Sequence, residues 1–136
     1  MKKVKINENI YIGNSKTQFK NLTETVLFEN NDGITSNGSL NDIPSNYRKL
    51  GCYARVGDQG IYEEINPKNL KKVEFSSFWA SSSVFVYKSS VYKFDGNQIT
   101  RTEMYCYYID GNSNFKAFKD SNAENGIKLY KVVGYK

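Results

Sequence analysis

Histidine is missing altogether from these 136 residues. Its absence removes Ser-His-Asp and Cys-His nucleophile arrangements and the common zinc ligand sets. Cysteine occurs only at Cys52 and Cys106, too few and too far apart for a disulfide framework or a thiolate metal site. Both are read as buried free thiols, with one inter-strand disulfide as the alternative if their Cα atoms fall within bonding range. Two prolines and ten glycines argue against a disordered or fibrous chain. No apolar run approaches the roughly 20 residues that a membrane helix needs. The opening Met-Lys-Lys-Val-Lys-Ile-Asn-Glu is basic but has no apolar stretch, so no signal peptide is expected. A phosphate-binding loop is missing too, because Gly57-Asp58-Gln59-Gly60 lacks the following Lys-Ser/Thr and the helix. These absences predict no metal, no cofactor and no membrane insertion.

Tyrosine is what the chain has in quantity: 11 residues, beside 8 phenylalanines and a single tryptophan. A tyrosine buries its ring and keeps its hydroxyl wet, so such a chain makes amphipathic surfaces as well as a core. One domain is expected at this length, burying roughly two-thirds of its unfolded surface. The net charge of +5 is spread along the chain. Scattered lysines on strand faces and edges discourage aggregation, and without a basic helix or dense cluster they do not indicate nucleic acid.

Residues 84–118 organise the sequence. Asp95-Gly96-Asn97 and Asp110-Gly111-Asn112 are tight-turn signals between runs of β-branched and aromatic residues. They predict three antiparallel strands joined by two hairpins. In the middle strand, strict alternation groups Ile99, Arg101, Glu103, Tyr105 and Tyr107 on one face, and Thr100, Thr102, Met104 and Cys106 on the other. Upstream, residues 47–56 form a long strand whose apolar face is Leu50, Cys52, Ala54 and Val56, with Tyr53 and Arg55 opposite. Gly57-Asp58-Gln59-Gly60 is then a hairpin loop. Residues 25–28 are a short strand followed by a turn at 29–33, and 73–75 a short strand followed by a Ser-rich loop, 76–83, that carries Phe78 and Trp79. In this reading Phe78 fills the core and Trp79 faces outward. No segment carries a 3.6-residue apolar stripe. The fold class is therefore all-β: an antiparallel β-sandwich, jelly-roll-like, over residues 25–136, preceded by a short N-terminal arm and connector at 1–24.

Carboxylate pairs are the remaining catalytic option. Glu63 and Glu64 are strand neighbours that point to opposite faces, and Glu103 is a lone candidate more simply explained as a cross-strand ion-pair partner. No catalytic residue is assigned. Binding is better served, because rigid aromatic rings with hydroxyls beside them suit carbohydrate or protein recognition. The candidate ligand-binding residues are Trp79, Tyr53, Arg55, Tyr105 and Tyr107, arranged as one platform with Trp79 on a nearby loop. For the strand tyrosines, cross-strand pairing is the plainer reading.

Several segments carry a resemblance to a known family: Val26-Leu-Phe-Glu-Asn30, Leu40-Asn-Asp-Ile-Pro-Ser-Asn-Tyr47, Val73-Glu-Phe-Ser-Ser-Phe78, Tyr92-Lys-Phe-Asp-Gly-Asn-Gln-Ile-Thr100 and the closing Ile127-Lys-Leu-Tyr-Lys-Val-Val-Gly-Tyr-Lys136. In this order they resemble the distal β-rich receptor-binding, tail-fibre or baseplate domains of tailed bacteriophages that infect Gram-positive bacteria. The resemblance covers roughly four-fifths of the chain and rests on turn and core residues. It implies a non-enzymatic module on the virion tail, assembled as a homotrimer with other tail proteins, that recognises a bacterial cell-surface glycan. It transfers no functional residue. A purely structural tail or baseplate subunit and a small carboxylate-dependent glycan hydrolase are the alternatives.

Overall fold

The computed structural model describes residues 23–109, 115–118 and 126–136. The arm predicted for residues 1–24 lies almost wholly outside them, as do the turn at 110–112 and most of the loop at 120–126. Among the described residues nine strands appear in chain order: β1 (Glu24–Ile34), β2 (Asn37–Ser39), β3 (Lys49–Val56), β4 (Gln59–Ile65), β5 (Lys72–Ala80), β6 (Phe85–Asp95), β7 (Gln98–Ile109), β8 (Phe115–Phe118) and β9 (Lys128–Tyr135). A 3-10 turn, Pro44–Asn46, precedes β3. The expected all-β sandwich is what forms.

One sheet runs β1-β9-β3-β4, and the other runs β2-β7-β6-β5, with β8 also paired to β7. Every described pairing is antiparallel. β9 pairs with both β1 and β3, β2 reaches across to β7, and the remaining described pairings join consecutive strands. Between the sheets lie Leu27, Leu50, Cys52, Ala54, Leu129 and Val132 from one side, and Val73, Phe75, Tyr92, Phe94 and Ile99 from the other. Tyr92 ties the two layers. Its ring meets Phe75 edge-on at 6.1 Å. Its hydroxyl lies 2.9 Å from the Ile34 carbonyl and 2.5 Å from the Ile127 carbonyl, either of which accepts its single proton.

Three details differ from the sequence expectation. First, β1 continues through the expected turn at 29–33, with its register against β9 shifting on the way. Gly33, at φ +75°, supplies the left-handed backbone there. Second, β5 does not stop at Phe75. The Ser-rich segment pairs with β6 rung by rung, from Ser76↔Ser89 to Ala80↔Phe85. A small-polar composition favours loops only weakly, and a long partner strand overrides it. Third, β7 does not alternate strictly. Val91 faces Glu103 and Tyr92 faces Arg101, so Thr102 is an extra residue, a bulge. The phase reverses there. Ile99 and Arg101 point inward, Glu103 points outward, and Met104 and Cys106 return to the inner face.

Candidate functional site

Strand phase decides where each candidate residue goes. Phe75 is fully buried, so its cross-strand partners Ser90 and Met104 share the inner face. Two residues further along, Ser77, Lys88 and Cys106 form the next inward rung, and Trp79, Val86 and Tyr108 the one after. The opposing sheet does not reach that far. It ends at the two-residue turn Gly57-Asp58 between β3 and β4, where Gly57 has φ +55°. The inner face of the β5–β6–β7 meander therefore overhangs the end of the sandwich and forms a cleft of about 670 Å³. Ser77, Trp79, Val86 and Lys88 line one wall, and residues 56–59 line the other. The Ser77 hydroxyl donates to Gln59 Oε1 at 2.8 Å and fixes the mouth between β4 and β5. Trp79 keeps 59% of its surface exposed.

The five predicted residues do not form one platform; only Arg55 comes near the Trp79 cleft, in a hollow that adjoins it. Tyr53 and Arg55 stand on the outer face of the β1-β9-β3-β4 sheet. Tyr105 and Tyr107 stand on the outer face of the other sheet, and Trp79 belongs to the cleft. The single aromatic platform is thus corrected to three separate surfaces, because β3 and β7 lie in opposite layers and present these residues away from each other. Trp79 sits in a strand rather than a loop. Phe78, expected in the core, is instead 64% exposed on the outer face, since the rung that sends Trp79 inward sends its neighbour out.

Both tyrosine faces are internally engaged. The Tyr53 and Tyr62 rings lie 4.7 Å apart, and Tyr130 is 6.1 Å from Tyr53. Cations cap them: Lys131 over Tyr53 at 5.8 Å, Arg55 over Tyr130 at 5.5 Å and Lys49 over Tyr135 at 4.9 Å. Arg55 also donates to the Asn31 carbonyl. Tyr62 covers Gly51 so closely that a Cβ there would come within 2.7 Å of the Tyr62 hydroxyl. Burial, then donation to Glu64 Oε1 at 2.8 Å, raises the Tyr62 pKa, while the Tyr62 and Lys49 hydrogen bonds lower that of Glu64. On the other sheet Tyr105 stacks on Tyr107 at 6.5 Å and Tyr87 approaches Tyr107 at 5.9 Å. Of these contacts, Tyr53–Tyr62 and Tyr87–Tyr107 join cross-strand partners and hold neighbouring strands together.

The cleft alone combines an exposed indole with unlike polar groups. Gln59 supplies an amide, Asp58 a carboxylate and Lys88 an ammonium around an apolar floor of Trp79 and Val86. That composition suits a sugar, which offers one apolar ring face and a rim of hydroxyls. Another concavity, of 160 Å³ and lined by Ile43, Pro44, Pro67, Leu70 and Phe94 among others, is too small and apolar for that purpose. Sequence reasoning missed Ser77, Val86, Lys88 and Gln59. Their signal was present in the hairpins: counting outward from residues 81–84 pairs Trp79 with Val86 and Ser77 with Lys88. Compared with known proteins, the chain matches no protein-family model, and no curated protein matches it.

Proposed function

We propose that the protein is a non-enzymatic saccharide-binding module that recognises a bacterial surface glycan through the cleft at the open end of its sandwich. The observation that carries the reading is Trp79, an indole 59% exposed with Gln59, Asp58, Ser77 and Lys88 around it. The resemblance to tail-fibre and baseplate domains supports the setting: a virion tail, a Gram-positive host and a trimeric assembly with other tail proteins. Catalysis by paired carboxylates finds little support, because Glu63 and Glu64 lie on opposite strand faces and Glu64 is held by Lys49 and Tyr62.

One stacking contact of this kind contributes about 1 kcal/mol, or about fivefold in affinity, and several on one particle multiply through avidity. The test compares wild type with Trp79→Ala for binding to purified Gram-positive cell walls. The expected result is about fivefold weaker binding per site with an unchanged circular-dichroism spectrum. Equal binding by the two proteins rejects the cleft.

A second reading, a structural subunit of the same kind of particle, is favoured by Phe78, Phe85 and Ile109, which stay exposed on the outer face of the β5–β6–β7 meander. It makes that face a contact between copies of the chain. Light scattering at micromolar concentration tests that contact: a trimer that Phe78→Ser dissociates supports it, and a monomer removes it together with the trimeric setting of the first reading, leaving the cleft to the cell-wall test.

A further inference from the structure

We infer that the cleft continues into an anion-binding subsite, so that the saccharide it takes is an acidic one; the inference rests on the saccharide-binding reading above. Val56, Gly57, Asp58 and Lys88 wall not only the Trp79 cleft but also an adjoining hollow of about 440 Å³. Arg55, Lys128 and Gly126 complete that hollow. Among its described lining residues three cations face one carboxylate, Asp58.

All three cations occupy positions that sheet physics disfavours. Lys88 lies on the inward rung between Ser77 and Cys106, the latter buried. A charge on a core-facing position costs free energy unless its ammonium meets water or an anion. The familiar use of inward lysines, protecting a sheet edge, does not apply, because β6 is flanked by β5 and β7. Arg55 and Lys128 are direct cross-strand partners, and like charges placed opposite each other repel. Lys72 and Lys93 form a similar pair, but they are exposed and line neither hollow. Arg55 is already oriented by the Asn31 carbonyl and the Tyr130 ring, so ordering it around a ligand costs little entropy. A guanidinium and two ammonium groups lining one hollow are a donor set that phosphate and carboxylate oxygens take.

The two parts are spaced for one ligand. Lys88 follows Val86, the partner of Trp79, by two residues on β6, about 7 Å along the strand. A sugar ring stacked on Trp79 thus brings a charged substituent, or the acidic group of the next residue, to the cations.

The experiment uses matched polymers: a phosphomannan with its dephosphorylated form, and polygalacturonate with its methyl ester. Half-saturating concentrations are measured for wild type, Trp79→Ala, the double variant Lys88→Gln/Lys128→Gln, and the control Lys72→Gln/Lys93→Gln, which removes equal charge elsewhere. Wild type should bind one charged polymer about tenfold better than its neutral form near physiological salt, and lose that preference near 1 M salt. Lys88→Gln/Lys128→Gln should abolish the preference of the charged over the neutral polymer, while the control keeps it. A preference for the phosphorylated polymer assigns a phosphate substituent; one for polygalacturonate assigns a uronate. Equal wild-type binding within both pairs, or a control that loses as much as Lys88→Gln/Lys128→Gln, overturns the acidic-ligand inference. If Trp79-dependent binding survives that result, saccharide recognition stands without the anion subsite. Binding to none of the polymers, or binding unaffected by Trp79→Ala, overturns both.

Discussion

Tyr92→Phe removes one oxygen from the centre of the sandwich and leaves the ring in place. The hydroxyl sits between the Ile34 and Ile127 carbonyls, which belong to the opposite layer, and the residue has no exposed surface. Losing a buried hydrogen bond and leaving an acceptor unsatisfied costs about 2 kcal/mol, or roughly 8 °C in Tm for a domain of this size. The same site makes a second, independent forecast. Burial pushes the Tyr92 pKa from 10.0 to about 12. A group whose folded pKa is raised keeps its full contribution below the unfolded pKa and loses it as pH climbs through the folded one. Wild type should therefore lose about 2 kcal/mol from this residue between pH 9 and pH 12, a loss that Tyr92→Phe cannot suffer. Urea unfolding of both proteins at pH 7, 10 and 12 reads the difference directly. The stability gap should be widest at neutral pH and close toward pH 12. A phenylalanine variant as stable as wild type at pH 7, or a gap that stays constant with pH, would refute the reasoning.

Gly134 faces the buried Tyr47 ring, and a Cβ there would come within 2.6 Å of Tyr47 Cγ, the rigid root of the ring. Gly134→Ala should cost about 2 kcal/mol, the overpacking being only partly offset by alanine's smaller backbone entropy loss; unfolding midpoints check it, and a neutral or stabilising alanine contradicts the close approach. Neither Cys52 nor Cys106 is in a disulfide and both are buried, and burial raises the Cys52 pKa to about 12, so its thiolate fraction at pH 8 is about one in ten thousand. Labelling of the native protein with a maleimide or aromatic disulfide should be slow until urea unfolds it, and rapid native labelling of Cys52 would show that the β3 phase is wrong.

Much of the fold was legible because it is written in local chemistry. Gly96 takes φ +56° in the Asp95-Gly96-Asn97 turn, and Leu50, Cys52 and Ala54 share a face because strand periodicity leaves no other arrangement. The bulge at Thr102 has no such signature: its neighbours are ordinary strand residues, and the extra residue exists only relative to β6. The Ser76–Trp79 segment misled for a related reason. Serines prefer turns when alone, yet here each has a strand partner. The candidate site was legible in one residue, Trp79. The wrong step was to group tyrosines by type, when the layer each strand joins sends Tyr53 and Tyr107 to opposite outsides of the molecule.

Pairing the first strand with the last also gives the molecule a direction. Glu24 lies opposite Tyr135, and the Lys136 amide donates to the Thr23 carbonyl, so the polypeptide enters and leaves side by side. Tyr135 in turn faces Lys49 at the start of β3, whereas the Trp79 cleft opens beyond Val56 at its other end. Seven residue steps, about 23 Å, separate these poles. Anything joined at Lys136, whether carrier protein, fluorophore or solid support, would hold the domain by its base and turn the cleft outward. For display on a bead or a particle, orientation is thus built into the pairing of two strands.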